Sequence, residues 1–466
     1  METQLPGLEM VHAVGSEADL RRFLPRLTQL LQEQAILLVL DNLESLLTTQ
    51  GTWRDPNWKQ LIAALSGHQG ESRVVLTSRV RPQDLDKGVL VEAVHALSLD
   101  EALVLSRELP NLRRLVPQGE AAPIRQSNHG SSNQLLLRRT LALVQGHPKL
   151  LELADALAGD PAVLAAQLTA SDQATRTVER DRLAAFFEHG ETQLAEDHFV
   201  RVLGQWTRQA TQTLPPAAVT LFGVLCCLED SDRRERVVDT VWPIVWQHLG
   251  RHGDPPTLAA ALEPLVGSGL VAAEGNPPRF RIHPGVAEAG RDLGGGQVQQ
   301  KVDTVLATFW QEVFTQAGQT PGGEPGATLV QVGWGAVPYL LRLQNWAAAS
   351  WLLEEVMRRD RSPGTVQAVL PLLRRIAEAT GGSDRELVDA SVLARVLSWV
   401  TPDEAEQRLR DVLAQAVAEQ RFDIGSAAAA DLVNLLWDAG RLPEALEQVE
   451  PMAEPGPRRS LGMSGW

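Results

Sequence analysis

Between Glu17 and Glu33 leucines recur at helical spacing (Leu20, Leu24, Leu27, Leu30 and Leu31), with Pro25 as a local irregularity, so the pattern predicts a helix. The period then changes. The stretch AILLVLDNLE, Ala35 to Glu44, runs six apolar residues in β-friendly order into Asp41 and a polar turn, the signature of a buried parallel strand. NLESLL predicts the start of another helix, and RDPNWKQLIAALSGHQG an amphipathic one ended by glycine. SRVVLTSR, Ser72 to Arg79, reads as a second strand, and GVLVEAVHALSL as a third that leads into a helix at DEALVLSREL. Strands alternating with helices predict a parallel sheet with right-handed crossovers, which makes residues 1–100 an α/β domain.

From 101 to 185 the pattern is helical, broken by a polar loop from Gln118 to Asn133 and by Gly146-His147-Pro148, a stop-start signal in which proline opens the next helix. Residues 186–293 carry helices followed by two short β pieces, GLVAAE and RFRIHP, around the turn GNPP; this order describes a winged helix. Gly267-Ser268-Gly269 reads as a helix C-terminal turn before the wing, since no strand precedes it as a nucleophile elbow requires. Gly294 to Gly296 read as a linker, and 297–466 as paired helices stacked into an α-solenoid. Its last pair resembles a tetratricopeptide repeat, with Leu435, Gly440, Ala445 and Pro455 near the expected places. Ala347 to Ala349 and Ala427 to Ala430 suit close helix approach, and Trp346, Trp351, Trp399 and Trp437 fall at core-like positions.

Composition narrows the partners. A net charge of −15 over 466 residues disfavours a phosphate backbone or an anionic membrane as the main contact, since both require a basic face. A winged-helix transcriptional regulator is the reading this charge disfavours most, because no helix of that segment carries a cluster of Arg and Lys. No apolar run reaches the length of a membrane span, and METQLPGLEM lacks the basic start and apolar centre of a signal peptide, so the expected location is the cytoplasm. The two cysteines, Cys226 and Cys227, stand side by side in an apolar run and read as small core residues; a vicinal redox pair is the alternative. His248 and His252 are four apart, but with Gly250 and Gly253 beside them they read as solvated residues at a helix end rather than metal ligands.

The candidate chemistry is spread along the chain. Asp41 ends the first strand, at the sheet edge where open α/β folds bind ligands, and is either an acid that positions Mg²⁺ or a strand-end aspartate capping the next segment. Thr77-Ser78-Arg79 ends the second strand, Pro148 starts a helix, and His283 closes the hairpin in Ile282-His283-Pro284. Their bland readings are an arginine paired to a carboxylate, a helix-start proline and a satisfied histidine.

In order and spacing these features resemble the STAND class of signal-transduction NTPases, specifically the NB-ARC arrangement, and LLVLDNLESLL with WRDPNW and SRVVLTSR looks most like bacterial regulators that join such a module to a caspase-like CHAT domain and tetratricopeptide repeats. The resemblance implies ADP or ATP with Mg²⁺ as cofactors. It places Asp41 as the Walker B acid, Arg79 beside Thr77 as the sensor of the terminal phosphate, Pro148 against adenine and His283 on the β-phosphate of ADP, so that one nucleotide touches several domains and its exchange changes their packing. It also implies a protein partner on the helical repeats and a nucleotide-driven homo-oligomer in the intact form.

Three departures qualify it. Asn42 stands where many members carry a second acid, with Glu44 one turn on, and Ile282 and Pro284 replace the usual neighbours of the histidine. The sequence has no Gly-Lys pair and no lysine before Lys59, so the loop G-x-x-x-x-G-K-[ST], whose backbone N–H groups cradle phosphate, is missing. The expectation is a chain that begins after that loop, with degeneration as the alternative, and at most a slow regulatory ATPase that is inactive as given. Loss of the strand that feeds the loop is expected to leave a gap between the strand at 73–77 and the one near 89–94, and a poorly ordered N-terminal domain. Two functions follow: a regulatory switch of nucleotide-sensing type, or a nucleotide-independent scaffold that binds through its solenoid.

Overall fold

The computed structural model of the chain describes residues 17–116, 131–175, 196–319 and 325–445. Most of the polar loop expected from Gln118, and Pro455 of the last repeat, lie outside them. The described residues fall into two compact units, one within Met1–Glu92, Gly322–Gly333 and Trp346–Trp466, the other within Ala93–Pro321 and Trp334–Asn345.

The first unit opens with α1 (Glu17–Glu33), β1 (Leu37–Leu40), a 3₁₀ turn (Leu43–Leu46), α2 (Pro56–Ser66) and β2 (Arg73–Leu76). β1 and β2 pair in parallel with Leu37 opposite Arg73 and Leu40 opposite Leu76. Asp55 caps α2 by accepting from the Asn57 N–H at 2.9 Å, with Pro56 pre-set in φ as its first residue. Phe23, Leu27 and Leu31 of α1 form a core with Leu43, Ile62 and Leu65, and Leu38, Leu40, Val74 and Leu76 pack against it. The period-2 alternation sends Leu37, Val39 and Val75 to the other face, where they are 69%, 55% and 45% exposed. Parallel sheets are normally covered on both faces; here the described residues cover one.

Two local expectations are corrected. The helix expected directly after Asp41 is only the single 3₁₀ turn, because Asn42 turns left-handed at φ 67°. The third strand does not form: 89–94 has no ladder, and Leu90 and Val94 are 89% and 97% exposed. The link from β2 holds no crossover helix that would bring it alongside in parallel.

The second unit runs through α3 (Leu99–Glu108), α4 (Ser132–Val144), α5 (Pro148–Leu157), α6 (Pro161–Thr175), α7 (Glu196–Gln212), α8 (Pro216–Cys227), α9 (Glu235–His248) and α10 (Leu258–Gly267). The antiparallel hairpin of β3 (Ala272–Glu274) and β4 (Arg279–Arg281) and the long α11 (Pro284–Gln319) follow, and the unit takes in the second half of α12 (Pro325–Arg342). α3 starts with a reciprocal cap in which Ser98 Oγ accepts from the Glu101 N–H and Glu101 from the Ser98 N–H at 2.8 Å. Gly146 has φ +74° and accepts the Leu97 N–H at 2.8 Å with its backbone too close for a side chain, which is why the break before α5 is glycine. The segment at Gly294 to Gly296, expected as a linker, lies inside α11 with a kink at Gly295, φ 72°. α8 is apolar nearly all round and packs on α10 and α11; Cys226 and Cys227 are buried in it, and burial pushes their thiols up to about 12 and about 11, which removes the thiolate that redox chemistry needs.

A polar cluster lies within this unit. Asp232, 3% exposed, accepts from Tyr339 O–H at 2.6 Å and Trp310 Nε1–H at 3.1 Å, while Tyr339 Oη accepts the Glu229 N–H at 3.1 Å. Arg342 donates to Asp303 through Nη2 at 2.8 Å and also to Glu229.

The chain closes, in the first unit, with α13 (Trp346–Arg359), α14 (Pro363–Ala379), α15 (Glu386–Ser398), α16 (Pro402–Ala418) and α17 (Phe422–Asp438). Each helix packs on the next, and α13, α15 and α17 also pack successively on one another, the arrangement of stacked helix pairs. Ala349, Ala428 and Ala429 sit fully inside, and Arg395 ties the odd-numbered layer by donating to Glu354 at 2.8 Å and Asp431 at 2.7 Å. Leu435 and Ala445 are buried, and Gly440 turns at φ +74°. The tryptophans there depart from expectation: Trp351 and Trp437 are 48% and 63% exposed, and the Arg361 guanidinium lies 4.4 Å over the half-buried Trp399. Among the described residues no helix is long and apolar enough to cross a membrane.

Candidate functional site

In the first unit, the carboxyl ends of β1 and β2 bring four of the singled-out side chains together. The Thr77 N–H donates to the Leu40 carbonyl at 2.9 Å and continues the parallel ladder by one rung, which sets Thr77 beside Asp41. Thr77 Oγ1 donates to Asp41 Oδ1 and accepts the Asn42 N–H at 3.1 Å. The left-handed Asn42 then redirects the chain so that Glu44 faces the end of β2. There Arg79 Nε donates to Glu44 Oε1 at 2.6 Å and its backbone N–H to Oε2 at 3.3 Å. With its amide swapped to suit its neighbours, Asn42 also donates to Glu44 Oε1 at 2.8 Å. The hydrogen bond from Arg79 is the main reason the Glu44 carboxyl lies below its ordinary range. The Arg79 side chain is 78% exposed and that of Glu44 16% exposed, so the pair sits at the lip of the strand ends.

Asp41 is exposed, and its second carboxylate oxygen is engaged by no described residue. A single acid suits Mg²⁺ that keeps its waters and leans on phosphate oxygens. Among the described residues no group of three or more His, Cys, Asp or Glu is placed to hold a metal by itself. The arrangement therefore fits the acid and arginine of a nucleotide site. A glycine-lysine loop to cradle phosphates is not part of the sequence.

In the second unit, Pro148 is the exposed first residue of α5, and His147 before it is the cap position of that helix. His283 immediately precedes Pro284, the first residue of α11. The His147 and His283 rings meet edge to face with centroids 6.0 Å apart, and His147 also lies 5.1 Å from the Phe199 ring of α7. His283 Nδ1 accepts the Gly285 N–H at 3.2 Å. His147 Nδ1 is enclosed and has no hydrogen-bond partner. Burial lowers the pKa of both imidazoles, for His147 against a hydrogen bond with its own backbone that raises it; for His283 the facing His147 and then Lys149 lower it further, against Glu152.

Asp41, Thr77 and Arg79 are thus gathered at one place, and Pro148 and His283 at another through His147. Sequence reading treated His147 only as part of a helix break. Glu44 is the carboxylate that a strand-end arginine pairs with in the bland reading of Arg79.

No family model matches the chain, and no curated protein matches it. Among solved structures it is similar to the crystal structure of a Signal Transduction ATPase with Numerous Domains (STAND) protein with a tetratricopeptide repeat sensor from Pyrococcus horikoshii, with 15% sequence identity and a TM-score of 0.43. The alignment covers 98% of this chain and 61% of that one, so the chain spans less than two thirds of that protein's length.

Proposed function

We propose that the chain is a regulatory signal-transduction module of STAND type, in the NB-ARC arrangement of CHAT-associated bacterial regulators, whose helical repeats hold a protein partner. The observation that carries this reading is the cluster at the strand ends, where Asp41 accepts from Thr77 and Glu44 holds Arg79. The domains are an α/β part over 1–100, a helical part over 101–185, a winged helix over 186–293 in which α7 to α10 precede the β3–β4 hairpin, and repeats over 297–466. By resemblance, and within the first unit by itself, Asp41 would position Mg²⁺ and Arg79 beside Thr77 would sense a phosphate; within the second unit by itself, Pro148 would pack on adenine and His283 would read a β-phosphate. No hydrolytic step is assigned, because the phosphate cradle is absent from the sequence. The module works in the cytoplasm, and nucleotide drives its homo-oligomer.

The test is titration with a fluorescent ADP analogue. A saturable signal that needs Mg²⁺ and is lost in Asp41→Asn and Arg79→Ala is the expected result. Absence of any saturable signal removes nucleotide sensing and leaves a second reading, a nucleotide-independent scaffold, which the existing Arg79–Glu44 pair favours because the arginine already has its counter-charge.

A further inference from the structure

We propose that the His147–His283 contact is a proton-sensitive latch, which holds the start of α5 against the start of α11 while both rings are neutral and releases when they charge. Four observations carry it. The Gly285 N–H donates to His283 Nδ1, so that nitrogen is the unprotonated acceptor of a neutral ring; a proton there would face a donor. His147 Nδ1 is enclosed and unpaired among the described residues, so a proton there is disfavoured by burial, against the smaller pull of the residue's own backbone carbonyl. The rings stand edge to face at 6.0 Å, where two cations repel. Each histidine also sits at the amino end of a helix, α5 for His147 and α11 for His283, where the backbone dipole opposes positive charge.

The surroundings supply little to offset this. Lys149 and Glu152 of α5 are the described charged groups that act on the pair, and they are spent largely on each other through a 2.8 Å ion pair. The described side chains that α7 brings are Phe199, against His147, and Leu203, over Gly285. Both imidazoles are held below their ordinary 6.5, chiefly by burial. The sign follows directly. A histidine whose pKa is lowered in the closed form binds fewer protons there than in the open form, so closure is complete above 6.5 and is lost as pH falls toward the lowered values. Within that window each ring weakens closure about tenfold per pH unit. The inference does not depend on nucleotide binding, and a chain that binds no nucleotide would still carry the latch.

The experiment measures backbone hydrogen exchange of the full chain without nucleotide at about pH 7.5 and about pH 5, corrected for the intrinsic pH dependence of exchange. The comparison is with His147→Phe/His283→Asn, in which Phe keeps the ring packing on Phe199 and Asn keeps an acceptor for Gly285, and neither titrates. Wild-type chain is expected to lose protection at the starts of α5 and α11 together, at least about tenfold, on acidification, while the double variant keeps it. Unchanged wild-type protection, or an equal loss in the double variant, overturns the proposal. Should the double variant not fold, ¹³C-histidine NMR of wild type, assigned with each single variant, decides: both rings titrating below 6.5 supports the latch, and either ring at or above it refutes it.

Discussion

Carboxylates and arginines meet in two very different settings in this molecule. In the second unit, Asp232 and Asp303 are nearly sealed, at 3% and 2% exposure, and their oxygens are occupied by Tyr339, Trp310 and Arg342. At the strand ends of the first unit, Asp41 is in solvent and Arg79 hangs 78% exposed on Glu44. The same residue types therefore do opposite work. The enclosed acids join the 3₁₀ turn at Asp230–Asp232 and α11 to α12 through Trp310, Tyr339 and Arg342, and removing one partner strands the others in low dielectric. Exposed charges are screened by water and can exchange partners at little cost, which a ligand site requires. The proton affinities divide the same way. Burial raises Asp232 and Asp303 despite the donors around them, whereas the Arg79 hydrogen bond lowers Glu44.

The hardest test of this contrast is Arg342→Ala. Burial opposes the arginine's charge, but its bonds to Asp303 and Glu229 outweigh that and raise its pKa, so the pair depends on both members. Its loss leaves Asp303 buried without a counter-charge and should cost about 3–5 kcal/mol in urea unfolding monitored on tryptophan fluorescence. A cost under about 1 kcal/mol would place the cluster in the same class as a surface pair. Tyr339→Phe comes next, at about 1–2 kcal/mol, since it removes the shortest donor to Asp232 and orphans the Glu229 N–H.

A smaller effect distinguishes the enclosed acid by its pH dependence. Because the folded pKa of Asp232 is raised above 3.8, the stability linked to it is full below that value and declines as pH rises through the folded value. Asp232→Asn keeps an oxygen for Tyr339 and Trp310 but cannot ionise. The variant should therefore show a flatter fall of urea midpoint with rising pH than wild type, and parallel curves would mean that Asp232 is not the group responsible.

These two settings also explain what could be read from the sequence. β1 and β2 were legible because β-branched runs ending in polar residues need only local pattern, and the hairpin and the solenoid helices because turn residues and helical periodicity mark them. The strand at 89–94 was misread for the same reason: its residues have strand propensity, but a strand exists only with a neighbour, and propensity says nothing of neighbours. Asp41 and Arg79 could be named from their places at strand ends. Asp232, Asp303, Tyr339 and Arg342 could not, since the bonds that join Arg342 to Asp303 and Tyr339 to Asp232 span 39 and 107 residues and nothing in a local window distinguishes a buried aspartate from a solvated one. His147 was hidden in a helix break, and only the fold sets its ring against that of His283.

The smallest expected change in stability, and the sharpest use of the contrast, is Glu44→Gln. It removes the charge that clasps Arg79 while keeping the side chain's size and its ability to accept a hydrogen bond. Since the arginine is solvent-exposed, the unfolding midpoint should not move measurably, and Arg79→Ala should be equally silent. Binding should separate the two. If Glu44 restrains an arginine that would otherwise meet phosphate, Glu44→Gln binds the fluorescent ADP analogue more tightly than wild type, while Arg79→Ala binds it less. Weaker binding in Glu44→Gln with an unchanged midpoint would instead make Glu44 the residue that aims Arg79 at its ligand, because an arginine held at 2.6 Å by a carboxylate is either withheld from a phosphate or pointed at it, and only the direction of that affinity change tells which.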